Sequence, residues 1–356
     1  MKYFVYFGVL CLILLRYKAS LPTFKNGDFV KITTKVYGDP VIYDRAQYLK
    51  IQGLKVYLPK YPEVNYGDTI EVVGTVSNDK LQRQSRLLIT SYKQITNSKP
   101  QVLKLREKII SFYKASLPEP FSSLVAGIVI GSKRMPESFW EKLKGTGTAH
   151  VVVASGTNIT LTISFMLGFL TLFLNRKRAI YITFFAILIY MVISGMEAPI
   201  VRASIMGSIL LFSQEHGRVV NSWRILLYSG IIMLLIKPVW ITDVGFLLSF
   251  TATGSLMLFQ KKIDTLFTKF PIFLREGLST SVSAQIGVAP ILYFTFGQFN
   301  LLSPIINALV LWTIPYIMIG GAVAGLIGIF VPLVGRLILF VIYPMLWYFE
   351  KIISIF

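Results

Sequence analysis

Between Gly277 and Gly335 the chain carries no Asp, Glu, Lys, Arg or His. About 20 apolar residues already cross the hydrocarbon core of a bilayer, and no globular core needs an uncharged run that long. The rest of the chain agrees. Of 356 residues, 54% are hydrophobic and only 15% are charged, whereas soluble domains carry roughly 25% charged residues. The fold class that follows is a polytopic α-helical membrane protein. Its apolar segments lie at 149–174, 179–195, 197–213, 225–241, 244–260, 278–297, 301–319, 320–335 and 337–349. Several are short or interrupted by Gly and Pro, which predicts broken or re-entrant helices.

The N-terminal part is built differently. Tyr3 to Leu15 is apolar but brief for a span, so residues 1–20 read as an N-terminal membrane anchor, or alternatively as a signal peptide ending near Ala19-Ser20. Residues 21–98 are polar, tyrosine-rich and punctuated by turns. Phe29–Ile32, Leu54–Leu58 and Leu87–Thr90 read as short strands. Tyr66-Gly67-Asp68 makes a turn into an alternating strand through Val76, and Gly74 suits a bulge. Strands at this density predict a small extracytoplasmic β-barrel of the OB type, or failing that another compact β-domain. Residues 99–148 read as an amphipathic and re-entrant region. Val102, Leu105, Ile109, Ile110 and Tyr113 share one face of a helix expected to lie on the membrane surface. Phe121 to Gly131 is too short to span and is expected to dip in and return. Residues 149–356 form the polytopic part.

Charge orients this arrangement. The net charge is +19, and more than half of the excess lies between Arg16 and Lys114. A basic extramembrane block attracts a polyanion or anionic headgroups. The loops at 175–178, 214–224 and 261–276 hold Arg176, Lys177, Arg178, Arg218, Arg224, Lys261, Lys262, Lys269 and Arg275, against essentially Lys237 in the loops between. The positive-inside rule then puts those basic loops in the cytoplasm. Residues 22–148 fall outside the cytoplasmic membrane. Cys11 is the sole cysteine, so no intrachain disulfide framework exists. His150 and His216 are the only histidines, so a polyhistidine metal site is excluded and no cofactor is expected. No phosphate-binding Gly-x-x-x-x-Gly-Lys-Ser/Thr loop is present, so no nucleotide-driven motor is expected within the chain.

Polar groups inside the apolar region are the candidate functional residues. His150 precedes Ser155, Gly156 and Asn158; Ser155, Asn158 and Thr162 fall on one helical stripe, and Gly156 allows another element to approach. The alternative for these polar groups is ordinary interhelical hydrogen bonding. Val153-Ala154-Ser155-Gly156 resembles the nucleophile site of intramembrane serine proteases. Such a site needs a facing His; His216 sits in a polar loop across the membrane and His150 is awkwardly placed, so no catalytic serine is expected. Gly195, Pro199, Arg202 and Met206 share one helix face. Arg202 lies inside an apolar segment, where a charge costs at least a few kcal/mol unless paired or wet. Either it is a buried ion pair with Glu197 or Asp243, or it lines a polar path suited to phosphates. Asp243 and Ser249 open another segment, Gln285 precedes Pro290, and Asn307 follows Pro304. Gly and Pro beside polar groups predict unwound helices lining a cavity.

In this order and spacing the blocks resemble the ComEC-type competence proteins, inner-membrane DNA channels of natural transformation. The resemblance rests on Gly127-Ile-Val-Ile-Gly131, on the Gly-Thr-Ala-His150 and Ala-Ser-Gly156 block, and on Gly195, Pro199, Arg202 and Ala203. Arg218, Asn221, Pro238 and Asp243 to Phe250 match a third block; Gln285, Pro290 and Asn307 look like a fourth. The Tyr66 to Val76 strand is similar to the family's extracellular OB-like domain. Leu247 stands where the family often has Gln. Longer members also continue into a metallo-β-lactamase-like domain, whereas this chain ends at Phe356 without the His/Asp cluster a two-metal nuclease needs.

The resemblance implies a channel for single-stranded DNA, with His150, Asn158 and Arg202 facing the strand. It also implies a separate nuclease, a DNA receptor, and a cytoplasmic ATPase or strand-binding proteins as partners. On the β-domain, Lys55, Tyr57, Lys60 and Tyr61 are the candidate DNA-binding residues, where tyrosines interleaved with lysines would stack bases; ordinary strand composition is the competing account. Two rival functions stay open: transport of another anionic polymer or lipid-linked substrate, and a non-transporting envelope scaffold.

Overall fold

A computed structural model describes residues 2–20, 24–43, 46–51, 53–79, 84–95, 100–153, 155–296 and 300–356. After helix α1 (Lys2–Ser20) come strands β1 (Phe29–Lys35), β2 (Val41–Ile42), β3 (Ala46–Ile51), β4 (Leu54–Pro59), β5 (Thr69–Asp79) and β6 (Gln84–Ile95). They form one six-stranded sheet in the order β1-β5-β6-β4-β3-β2. Period-2 alternation does what it should: Leu54, Val56 and Leu58 point into a core with Ile32, Leu49, Ile70, Val72, Val76 and Leu87, while Lys55 and Tyr57 fall on the other face. Gly67 adopts a φ of +88° in the turn before β5. The register slips between Val73 and Gly74, where a methyl group on Gly74 would collide with the Leu88 carbonyl. The predicted strands and bulge are therefore present.

The predicted closed barrel is not. β1 pairs with β5 and β2 with β3, and among the described residues nothing joins these two edges, so the sheet stays open. The edge strand β2 is only two residues long.

The helices follow: α2 (Gln101–Ser116), α3 (Phe121–Ile130), α4 (Glu137–Gly145), α5 (Ala149–Val152), α6 (Gly156–Leu170), α7 (Arg176–Ile193), α8 (Ala198–Glu215) and α9 (Ser222–Ile236). A 3-10 turn at Pro238–Thr242 leads to α10 (Val244–Leu266), α11 (Ile272–Phe296), α12 (Ser303–Leu311), α13 (Ile314–Gly328) and α14 (Pro332–Ile355). By length and apolarity, two of the described stretches are candidate membrane spans, Ala149–Leu170 and Pro332–Ile355; α12 and α13, bent by 48°, make a third if taken as one broken span. The longer set of segments expected from hydropathy shrinks because several helices carry polar turns. Helix α7 starts on Arg176-Lys177-Arg178, and α11 runs through Arg275, Glu276, Ser279, Thr280, Ser281, Ser283 and Gln285.

Residues 99–148 supply two helices to the protein core. Helix α2 is packed along one face. It buries Leu103, Arg106, Ile109, Ile110 and Tyr113, and the Tyr113 hydroxyl donates to the Gly321 carbonyl at 2.8 Å. Helix α3 is buried along Ser122 to Ile130, inside the largest core with α2, α13 and α14. Ten residues too short to cross a bilayer are here the centre of a protein core.

Candidate functional site

The sequence blocks converge on Arg202. Gly195 (φ +92°) and Met196 (φ +52°) turn the chain after α7, Glu197 occupies the N-cap of α8, and Pro199 sits in its first turn, where a missing N–H costs nothing. One turn on, Arg202 is only 9% exposed. Its Nε donates to Ser249 Oγ of α10 at 2.7 Å and its Nη1 to Met206 Sδ at 3.2 Å. Its guanidinium carbon stands 5.9 Å from the centre of the Phe250 ring. A methyl group on Gly156 would come within 3.0 Å of Arg202 Nη2, so the glycine at the start of α6 makes room for the guanidinium. Arg202, Gly156 and Ser249, from three separate blocks, thus meet at one point.

Neither predicted carboxylate partner is there. Glu197 pairs with Lys133. Asp243 caps α10, its Oδ1 accepting from the Phe246 backbone N–H at 3.0 Å. Among the described residues no carboxylate lies within 4.0 Å of Arg202. A buried arginine satisfied by a hydroxyl and a thioether keeps nearly its full charge uncompensated.

The remaining candidates fall into two groups. Ser155 Oγ donates to Asn158 Oδ1 at 3.2 Å, and Asn158 Nδ2 donates to the Ile128 carbonyl at 2.9 Å. Asn158 is 0% exposed and ties α6 to the end of α3. Among the described residues no hydrogen bond joins Ser155 to His150 or His216; His150 is exposed on α5, and the His216 ring contacts the Phe212 carbonyl. In the other group, Gln285 Nε2 donates to the Asn300 carbonyl at 3.3 Å and Asn300 Nδ2 to the Gly145 carbonyl at 2.7 Å. Asn307 Nδ2 donates to Ser303 Oγ at 3.2 Å, and a methyl group on Gly147 would collide with that same serine. The fourth block therefore grips the turn that precedes His150.

On the β-domain, Tyr57 lies 5.2 Å from Tyr48, ring centre to ring centre. Lys55 sits in register between Lys50 of β3 and Arg86 of β6. Lys60 and the exposed Tyr61 follow on a loop held from inside. The Gln47 side-chain amide donates to the carbonyls of Pro59, Lys60 and Pro62 at 2.7–2.9 Å, and its Oε1 accepts from the Val64 N–H at 2.8 Å. Beside this loop a cavity of about 390 Å³ is lined by Ile42, Tyr43, Lys60, Met135, Pro136, Glu137 and Ser138.

Sequence reasoning missed Asp39 altogether. Its carboxylate is completely buried and takes a two-point contact from Arg106, at 3.1 and 2.7 Å. Ser132 Oγ donates at 3.1 Å and the Lys133 N–H at 3.3 Å, with Arg134 Nε at 3.7 Å. Burial pushes this carboxyl up. The charges of Arg106 and Arg134 and the hydrogen bonds from Arg106 and Ser132 outweigh burial and hold it below its ordinary value of 3.8. Nothing in the run Tyr37-Gly38-Asp39-Pro40 marks it apart from any turn aspartate.

Comparison with known proteins bears on this site. Residues 128–356 match the family model described as Competence protein, a stretch that contains every helical candidate residue and leaves the β-sheet outside. The ComE operon protein 3 of Bacillus subtilis (strain 168) is 28% identical over 236 residues, which span 65% of this chain and 30% of that relative. No solved structure matches. The blocks that meet at Arg202 all lie within the matched stretch, and the chain belongs to the competence protein family.

Proposed function

We propose that the protein is the conduit by which single-stranded DNA crosses the cytoplasmic membrane in natural transformation, working by passage and without a catalytic step. The observation that carries this reading is Arg202, a guanidinium among buried helices whose neighbours are a hydroxyl, a thioether and a glycine. A fixed carboxylate there would neutralise it permanently. Without one, the site favours an anion that comes and goes, and the planar guanidinium fork matches a phosphodiester. The B. subtilis relative, by its printed name a product of the ComE operon, and the family's description as competence proteins support DNA as the polyanion.

In this reading the β-domain lies on the outer side of the membrane and receives the strand. Lys50 and Lys55 face each other across neighbouring strands and attract phosphates by counterion release. Tyr57, Tyr48 and the exposed Tyr61 offer rings to bases. A separate nuclease, a DNA receptor and a cytoplasmic ATPase or strand-binding protein complete the system.

The test is uptake of labelled DNA into the nuclease-protected cytoplasmic pool of the native host. Wild type, a deletion strain, and the deletion strain carrying Arg202→Ala at matched membrane abundance are compared. Loss of uptake in the deletion that Arg202→Ala does not restore supports the reading. Full uptake in the Arg202→Ala strain sinks it.

A further inference from the structure

The turn between α7 and α8 is held at four places by parts of the chain far away in sequence. Tyr66 of the β-domain donates its hydroxyl to the Val192 carbonyl at 3.0 Å. Arg106 of α2 donates Nε to the Ile193 carbonyl at 2.7 Å while its other two nitrogens grip Asp39. Gly195 packs against Gly38, so that a methyl group on it would stand 3.5 Å from the Gly38 Cα. Glu197 pairs with Lys133, whose own backbone N–H points at Asp39. Each of these contacts is made by a residue that touches Asp39, adjoins it, or touches one of its partners. Arg106 also lies under the Tyr66 ring, 5.6 Å from its centre.

This grip has a direction. The last carbonyls of a helix have no partner within it and carry partial negative charge, so a cation at Ile193 fixes the end of α7. Glu197 is the N-cap of α8, and Arg202 follows five residues later, about 7.5 Å along a rigid rise of 1.5 Å per residue. Wherever residues 192–197 are placed, Arg202 is placed with them.

We propose that Asp39 is the positioning residue that locks the β-domain to the start of α8 and so seats Arg202 against Gly156 and Ser249. The proposal rests on the reading of Arg202 as the phosphate-facing residue of the conduit. Asp39 touches no substrate; it acts through Arg106, Lys133 and the 192–197 turn. The β-domain and the membrane helices then move as one body when a strand is bound, and the site is set before DNA arrives.

Two measurements on the full-length protein separate this proposal from the reading beneath it. On a Cys11→Ser background, spin labels at Lys35→Cys on β1 and Val219→Cys beyond α8 report the distance between the β-domain and the helices. The parent should give a single narrow distribution. Asp39→Asn should broaden it, and Ser132→Ala, which removes one peripheral donor and keeps the ion pair, should broaden it less. An unchanged distribution in both variants overturns the proposal. In uptake assays, Asp39→Asn should cut the rate at saturating DNA by tenfold or more and leave the half-saturating concentration unchanged. A normal rate at saturating DNA in Asp39→Asn would show that Asp39 does not seat Arg202 and also overturn it. Normal uptake by Arg202→Ala would instead remove the conduit reading, while the label distances still decide whether Asp39 locks the two parts.

Discussion

Two buried arginines of this protein have opposite surroundings. Arg106 is 2% exposed and Arg202 is 9% exposed. Arg106 meets a carboxylate at two points and a helix-terminal carbonyl at a third. Arg202 meets a serine hydroxyl and a methionine sulfur. Burying a charge is repaid only when the geometry is good and the remaining donors are satisfied. Arg106 meets that condition within the fold, and its contacts join three distant parts of the chain. Arg202 does not, so its charge is a cost to folding, and the proposed conduit would give that charge a use outside folding. Charge completed inside the fold marks a joint, and charge left open marks a site.

The sharpest way to break this contrast is to remove both charges with the same substitution. Arg106→Leu leaves Asp39 buried with its main partner gone and should destabilise the protein by about 3–5 kcal/mol. Arg202→Leu leaves no orphan charge and should be within about 1 kcal/mol of the parent or more stable, yet it should abolish uptake. Denaturant unfolding in detergent, read beside uptake, checks both. Equal destabilisation by the two variants would erase the distinction.

Acid offers a second route. Asp39 is held below its ordinary carboxyl value in the folded protein, so the unfolded chain binds its proton first as the pH falls. Its stabilisation is fully present above 3.8 and fades as the pH drops through the lowered folded value. The stability difference between parent and Asp39→Asn should therefore be flat from neutral pH down to about 5 and shrink below that. A difference that grows on acidification would mean the carboxylate is not held by cations.

The two arginines were not equally legible. Arg202 announced itself because a charge in an apolar segment has to be explained, and its helical spacing from Gly195 and Pro199 was visible in one line of residues. Arg106 looked like one more cation on the polar face of an amphipathic helix, because hydropathy periodicity cannot tell solvent from a buried partner 67 residues away. The strands and the Gly74 bulge were readable for a local reason: alternation and turn chemistry act over a few residues. Closure of the sheet was not, since it depends on which edges meet. The same limit hid the burial of α3, whose apolarity suited lipid and a protein core equally well.

Asn307 is a smaller, uncharged counterpart of Arg202. It is 4% exposed, and among the described residues its Oδ1 has no hydrogen-bond partner while Nδ2 reaches Ser303. An unsatisfied buried acceptor costs about 1–3 kcal/mol, so Asn307→Leu, which keeps the branched heavy-atom skeleton, should leave the unfolding midpoint unchanged or raise it. If Asn307 belongs to the conduit, uptake should nonetheless fall by about tenfold, the effect of one lost polar contact worth roughly 1.4 kcal/mol. A variant both more stable and fully active would place Asn307 with the packing residues.

The gentlest effects should come from the exposed end of the protein, where Tyr61 is 69% exposed and Lys60 shares its loop. Here neither desolvation nor a buried partner amplifies a substitution, so each residue is worth only its own contact. Tyr61→Ala should weaken binding of an oligothymidylate to the detergent-solubilised protein by about 1–3 kcal/mol, the worth of one stacked base, with the salt dependence unchanged. Lys60→Ala should weaken it less at high salt than at low, because one phosphate contact contributes about 0.7 to the logarithmic salt slope for a single strand. The two signatures are separable in a single titration series over ionic strength. A Tyr61 effect that vanishes at high salt would mean the ring only spaces the lysines, and the outer face would then be an electrostatic collector without base stacking.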